Sequence, residues 1–268
     1  MSQRLHLPLS RKCREWPLVN ADHTVIHLGP ALAIAVAVLA VIAIAVNRYN
    51  DRALAAATAR AAIRAVCQLA ALAAVLALVI HALWASAVFV VVMALTAAAT
   101  SAGRVSAHRP SVRKTILCLV PVSASTILIV VTLVAVDVLP ATGIAIIPTA
   151  GIMFGGAMNT TSIAGKRAHD ELRTRHGEVE AALSLGLSSR DARLEIIRHT
   201  ATTALIPGLD QTRSVGLVTI PGAFVGMVLG GASTTAAAIM QLFVLISLLA
   251  VSAVAALVTV EMVARDLL

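Results

Sequence analysis

The chain has 268 residues, of which 59% are hydrophobic, 3% aromatic and 13% charged, and its mean hydropathy is +0.92. That balance is too apolar for a water-soluble surface and excludes an ordinary soluble enzyme or nucleic-acid reader, whatever the net charge of +8 suggests by itself. The composition is that of an all-α, polytopic membrane protein.

A bilayer core about 30 Å thick needs about 20 mainly apolar residues per crossing helix. In chain order, residues 1–28 form a loose N-terminal extension carrying Arg4, Arg11, Lys12 and Arg14, too far from the first apolar run to serve as a signal peptide. Seven apolar runs follow, at 29–46, 63–80, 83–100, 116–136, 143–164, 214–232 and 236–260. Together, 29–268 is predicted to be one transmembrane domain with a long polar loop at 165–213. Alanine is prominent throughout, which suits close helix packing in lipid. Cys13, Cys67 and Cys118 are scattered and give neither a disulfide framework nor a metal motif. His23 and His27 stand four residues apart in the extension, and His81 falls at an outer boundary; no histidine site assembles.

Lys and Arg alternate between the apolar runs. There are four in 47–64, none in 81–82, four in 101–114, none in 137–142, eight in 165–213, none in 233–235 and Arg265 at the end. By the positive-inside rule the first, third and fifth of these segments, and the C-terminus, face the cytoplasm. The four cations ahead of the first run break the rule, but three inner loops outvote them. The net positive charge then lies along the anionic inner leaflet, with no need of nucleic acid.

The loop at 165–213 is the only polar segment of size. Leu172, Val179 and Leu183 lie between charges, which predicts a helix continuing inward from the fifth span. Gly186 is expected to stop it, and Ser188 with Asp191 forms a capping pair for a second helix ended by Pro207. Pattern alone equally suits an amphipathic pair on the membrane surface. The spacing is more specific: Glu180, Ala181 and Ala182, three residues, Gly186, nine residues, then Ile196. It reproduces the cytoplasmic coupling motif of ABC-transporter permeases, although Ile197, Arg198 and His199 replace the Leu-Pro that follows in importers.

IRAVCQL (63–69), PTAGIMFGGAMN (148–159), EAALSLGLSSRDA (180–192), IPGLD (206–210) and GLVTIPGAFVGMVLGGAS (216–233) together resemble the FetB (YbbM) family of ABC permeases, which includes bacterial iron exporters and plant aluminium-tolerance proteins. The chain departs from that family's pattern at Gly156, Met227 and Thr234. The resemblance implies a permease subunit in the bacterial inner membrane, a homodimer served by two ATPase chains, moving a metal ion such as iron outward. Glu180, Ala181, Ala182, Gly186, Ser188, Asp191 and Ile196 would then couple to the ATPase. The chain itself is not expected to be an enzyme or to bind a cofactor, and ATP-Mg belongs on the partner. Residues 160–167 come nearest to a phosphate-binding loop, but Thr160 replaces its first Gly and Arg167 its Ser or Thr.

Polar groups inside a membrane are expensive, so each is a candidate for the translocation path. Gln68 serves either a path or a helix–helix hydrogen bond. Asn159 follows a glycine-rich stretch, Met153 and Met158 offer thioethers to a soft metal or simply fill gaps, and Gln241 stands early in the last span. Gly151 and Gly155, and Gly222, Gly226 and Gly230, read as helix-packing faces. The likeness of GIMFGGA (151–157) to GMVLGGA (226–232) admits an inverted repeat, and with it a secondary transporter for a small solute as the alternative reading.

Overall fold

The computed structural model describes residues 29–79, 82–105 and 112–268. The extension at 1–28, with Cys13, His23 and His27, and the boundary residue His81 lie outside the described residues. The described chain is helical: α1 Pro30–Asn50, α2 Arg52–Val79, α3 Leu83–Val105, α4 Val112–Ala135, α5 Gly143–Thr174, α6 His176–Ser184, α7 Ser189–Ser214, α8 Gly222–Leu229 and α9 Thr234–Ala264.

Two compact units divide at residues 71 and 72. In the first, α1 and the start of α2 are joined at Asp51, whose Oδ1 accepts the Ala53 N–H (2.8 Å), while Asn47 Nδ2 donates to Thr58 Oγ1 (2.8 Å). The expected inner loop at 47–64 is therefore a tight turn with Arg48 and Arg52 at the helix ends beside it, while Arg60 and Arg64 lie farther along α2.

In the second unit α3, α5 and α9 run side by side, with α4 packed on all three and α7 lying on α5 and α9. Seams of small residues let the backbones approach: Ala98, Ala102, Ala157, Ala164 and Ala168 are fully buried. Several buried hydroxyls bond within their own helices, as where Thr259 Oγ1 donates to the Ala255 carbonyl (2.6 Å) and Thr126 Oγ1 to that of Val122 (3.2 Å). A Cβ at Gly165 would stand 2.7 Å from Val105 Cγ2 and 3.5 Å from Thr259 Cγ2, where α3, α5 and α9 meet. Gly165→Leu is expected to destabilise the fold by about 1–3 kcal/mol through overpacking, read as a lower thermal midpoint in detergent. Gly155→Ala, with nothing within 4 Å of its Cβ, should leave the midpoint unchanged or raise it.

Among the described residues six helices are long and apolar enough to cross a membrane, in place of the predicted seven. The run at 214–232 is not one span. The chain turns through 215–221, where Gly216 has φ +79, and α8 has only eight residues, about 12 Å of helix against a core of about 30 Å. The predicted stop at Pro207 also fails: α7 passes through it to Ser214. A proline forfeits one main-chain bond, which a helix packed on two neighbours tolerates. Nor do GIMFGGA and GMVLGGA form a repeat, since the first lies within continuous α5 and the second runs off the end of α8.

Candidate functional site

The polar helix pair of α6 and α7 is built from local chemistry. α5 ends at Arg175, whose guanidinium pairs with Glu178 and so ties the kink to the first turn of α6. That ion pair lowers the Glu178 pKa from its ordinary value. α6 closes as expected at Gly186, with φ +91: its N–H donates to the Leu183 carbonyl (2.9 Å), and the Leu187 N–H to that of Ala182 (3.2 Å). Ser188 Oγ then accepts the Asp191 N–H (3.1 Å) and donates to Asp191 Oδ2 (2.7 Å), starting α7.

The result is a knuckle whose tip is apolar. Leu185 is 82% exposed, flanked by exposed Leu183 and Leu187. Glu180 sits on the outer face of α6 with His176 3.4 Å away, Ala181 is exposed beside it, and Ala182 is half-buried. Asp191 is held by Arg190 Nη1 at 2.7 Å. Ile196 lies underneath, buried with Ala192, Ile197, Val260 and Val263. The structure thus brings the predicted coupling residues together as one exposed turn and its buried anchor.

What the sequence reading missed is how the knuckle is fastened. Arg190 grips Glu261 of α9 in a two-pronged fork, Nε to Oε1 at 2.7 Å and Nη2 to Oε2 at 2.8 Å, and Arg265 donates to the same carboxylate (2.7 Å). The bond to Glu261 raises the Arg190 pKa further, so the guanidinium remains charged. Arg193 pairs with Asp266 (2.9 Å) and His199 lies 3.5 Å from Glu171. No sequence signal marks a pair 71 residues apart.

The intramembrane candidates fall in separate places. Gln68 is exposed on α2 in the first unit. Met153 is fully buried in the α5 core, and Met158 contributes its carbonyl, which accepts from Ser101 Oγ (3.1 Å) and Ser162 Oγ (2.6 Å). Asn159 Oδ1 accepts from Arg104 (3.1 Å) on the wall of a cavity of about 1010 Å³ that also takes in Lys166, Arg167, Asp170 and Thr203. Gln241 is buried on α9, beside a different cavity of about 340 Å³. A Cβ at Gly151 would meet Met93 of α3 at 2.8 Å, whereas Gly155, Gly222 and Gly226 meet nothing within 4 Å and Gly230 meets only its own turn. Among the described residues no group of three His, Cys, Asp or Glu side chains stands ready to hold a metal.

Comparison with known proteins agrees with this architecture. A family model described as Uncharacterised protein family (UPF0014) matches residues 31–268. The UPF0014 membrane protein STAR2 of Oryza sativa subsp. japonica is 35% identical over 165 residues, covering 62% of this chain and 57% of that protein. Protein ALUMINUM SENSITIVE 3 of Arabidopsis thaliana is 34% identical over 151 residues, 56% of this chain and 55% of the relative. The probable iron export permease protein FetB of Escherichia coli (strain K12) is 28% identical over 113 residues, 42% and 44% of the two chains. The chain thus spans little more than half the length of the first two relatives and under half of the third. No solved structure matches.

Proposed function

The chain belongs to the UPF0014 family of membrane proteins, and on that premise we propose that it is the permease subunit of an ABC transporter, driven by a separate ATP-hydrolysing chain and exporting a metal ion such as iron. The observation that carries this reading is the exposed leucine knuckle at Leu183, Leu185 and Leu187 on the cytoplasmic side. Three large apolar side chains at a rigid helix turn are stable in water only singly; grouped, they mark a surface for a partner. The fork from Arg190 to Glu261 converts a push on that turn into a push on α9, which crosses the membrane. The ATPase thus acts on the spans through α7, and ATP-Mg is bound by the ATPase alone.

The metal rests on the names of relatives, one a probable iron export permease and another named for aluminium sensitivity. A homodimer completes the assembly, with Gly222 and Gly226, where an added Cβ would meet nothing within 4 Å among the described residues, available to its seam. The secondary-transporter alternative loses its basis with the absent repeat.

Leu185→Glu tests the docking. Burying a leucine contributes about 1.5–3 kcal/mol, so its loss should weaken association with the ATPase at least about tenfold. Co-purification with the ATPase and ATP-dependent metal efflux from inverted vesicles are the measurements, and membrane insertion should persist. Unchanged efflux and association would remove the coupling assignment.

A further inference from the structure

The charged ends of α3 and α5 fall at one level of the membrane. Residues 83–103 and 143–165 carry no charge, runs of about 32 and 35 Å of helix, which match a bilayer core of about 30 Å. Arg104 on α3 and Lys166 and Arg167 on α5 are the first charges after those runs, so they stand where hydrocarbon gives way to lipid headgroups. All three line the cavity of about 1010 Å³ beside Asn159, whose far wall is Thr203, Ile206 and Pro207 of α7. Along α5 this cavity runs from Asn159, the deepest residue, past Ile163 to Asp170 and Glu171 at its outer end, about 18 Å in all.

Long cations at the ends of membrane helices ordinarily snorkel toward water. Arg104 does the reverse. A helical side chain leans toward its own N-terminus, and for α3 that direction is into the membrane. Arg104 Nη1 accordingly donates to Asn159 Oδ1 at 3.1 Å, and Asn159 stands about 10 Å deeper along α5 than Lys166. A guanidinium carries several N–H donors, and one neutral oxygen satisfies few of them. Among the described residues Arg104, Lys166 and Arg167 form no ion pair, although Asp170 and Glu171 border the same cavity. Glu171 faces His199 instead, 3.5 Å away. Three cations without counter-ions thus share one cavity at the membrane boundary, where charge is costly and marks function.

We propose that this cavity seats the phosphate of an anionic phospholipid from the leaflet nearest α6, with Arg104 reaching it from α3 and Lys166 and Arg167 from α5. Charge complementarity selects the phosphate, because a guanidinium meets its oxygens in a two-pronged fork and an ammonium adds a point charge. The surroundings select the lipid. Ile163, Ile206 and Pro207 line the same cavity, and Ile206 is 47% exposed, an apolar wall that a soluble phosphate leaves in water and an acyl chain covers. Asp170 and Glu171 at the outer end repel an anion arriving from solution, whereas a lipid entering sideways from the leaflet avoids them. The inference stands apart from the transport reading, since lipid retention needs neither the ATPase nor a cargo.

The test is native mass spectrometry of the full chain with phosphatidylglycerol and, separately, with phosphatidylethanolamine of the same acyl chains. Wild type should retain phosphatidylglycerol saturably and about tenfold more tightly than the zwitterionic lipid. Arg104→Gln, and the pair Lys166→Gln with Arg167→Gln, should each weaken retention about tenfold. Exchanging the pair, Lys166→Arg with Arg167→Lys, keeps both charges and should hold retention within about threefold of wild type, which separates lost charge from misfolding. Arg113→Gln, at the same boundary on α4 but outside the cavity, should leave retention unchanged and controls for general attraction to the leaflet. Equal retention of the two lipids, an exchanged pair as weak as the neutral one, or a loss in Arg113→Gln matching that in Arg104→Gln would overturn the site. So would a lipid-free wild-type dimer, in which a second copy covers the cavity, or release of the lipid by excess glycerol 3-phosphate, which would assign the cavity to a soluble phosphate ester.

Discussion

Glu261→Ala is expected to leave the partner ATPase bound and hydrolysing ATP while efflux falls about tenfold, because it severs the link from knuckle to span and leaves the knuckle itself unchanged. Glu261 accepts from two guanidiniums, and its side chain is 27% exposed against 42% for Arg190. Charge-assisted bonds at that exposure are partly screened, but losing both at once loosens the clamped arrangement of α7 on α9. Removing the carboxylate also leaves Arg190 and Arg265 facing each other without a mediator, and their repulsion opens the seam between α7 and α9. Glu261→Gln keeps an acceptor oxygen but no charge, so it should fall between wild type and Ala. Efflux and ATP hydrolysis measured in parallel give the result, with the thermal midpoint of the permease alone as a control on the seam. Equal loss of efflux and hydrolysis would place Glu261 in ATPase docking; no loss of either would remove the clamp from the mechanism.

The clamp also shows where sequence reasoning stops. The turn at Gly186 was legible because every part of it is local: a glycine that must adopt positive φ, a serine cap two residues on and an aspartate three beyond that. The fork between Arg190 and Glu261 involves no local pattern, since either residue alone reads as a solvated charge at a helix end. Six of the apolar runs were legible from length and hydropathy, because a long uncharged helix has one stable location. The run at 214–232 satisfied the same count of apolar residues but not the requirement behind it, a continuous helix. Gly216, Pro221 and the Gly230–Gly231 pair were the available warning, since each is a turn former where a span needs none. Pro207 was overweighted for the converse reason: packing of α7 on α5 and α9 holds a helix that propensity alone would end.

Substitutions at Gly186 should rank by how well each residue accepts φ +91. Asn tolerates positive φ, so Gly186→Asn is expected to retain most efflux. Ala suffers the clash between Cβ and carbonyl that disfavours left-handed backbone, about 1–2 kcal/mol, and should lower efflux several-fold. Proline is the severe case. It fixes φ near −65°, far from the observed value, and it deletes the N–H that donates to the Leu183 carbonyl at 2.9 Å. The turn cannot form in either respect, so α6 no longer meets α7 at the angle that presents Leu185. Efflux and stimulated ATP hydrolysis should both collapse in Gly186→Pro, in contrast to Glu261→Ala, where hydrolysis survives. Because no Cβ contact lies within 4 Å of Gly186, the defect cannot come from crowding and must come from backbone geometry. Insertion should be normal in all three variants, since Gly186 lies outside the helices long and apolar enough to cross a membrane. If Pro and Asn prove equivalent, the angle of the knuckle does not matter to coupling; a graded loss from Asn through Ala to Pro ties coupling to one dihedral.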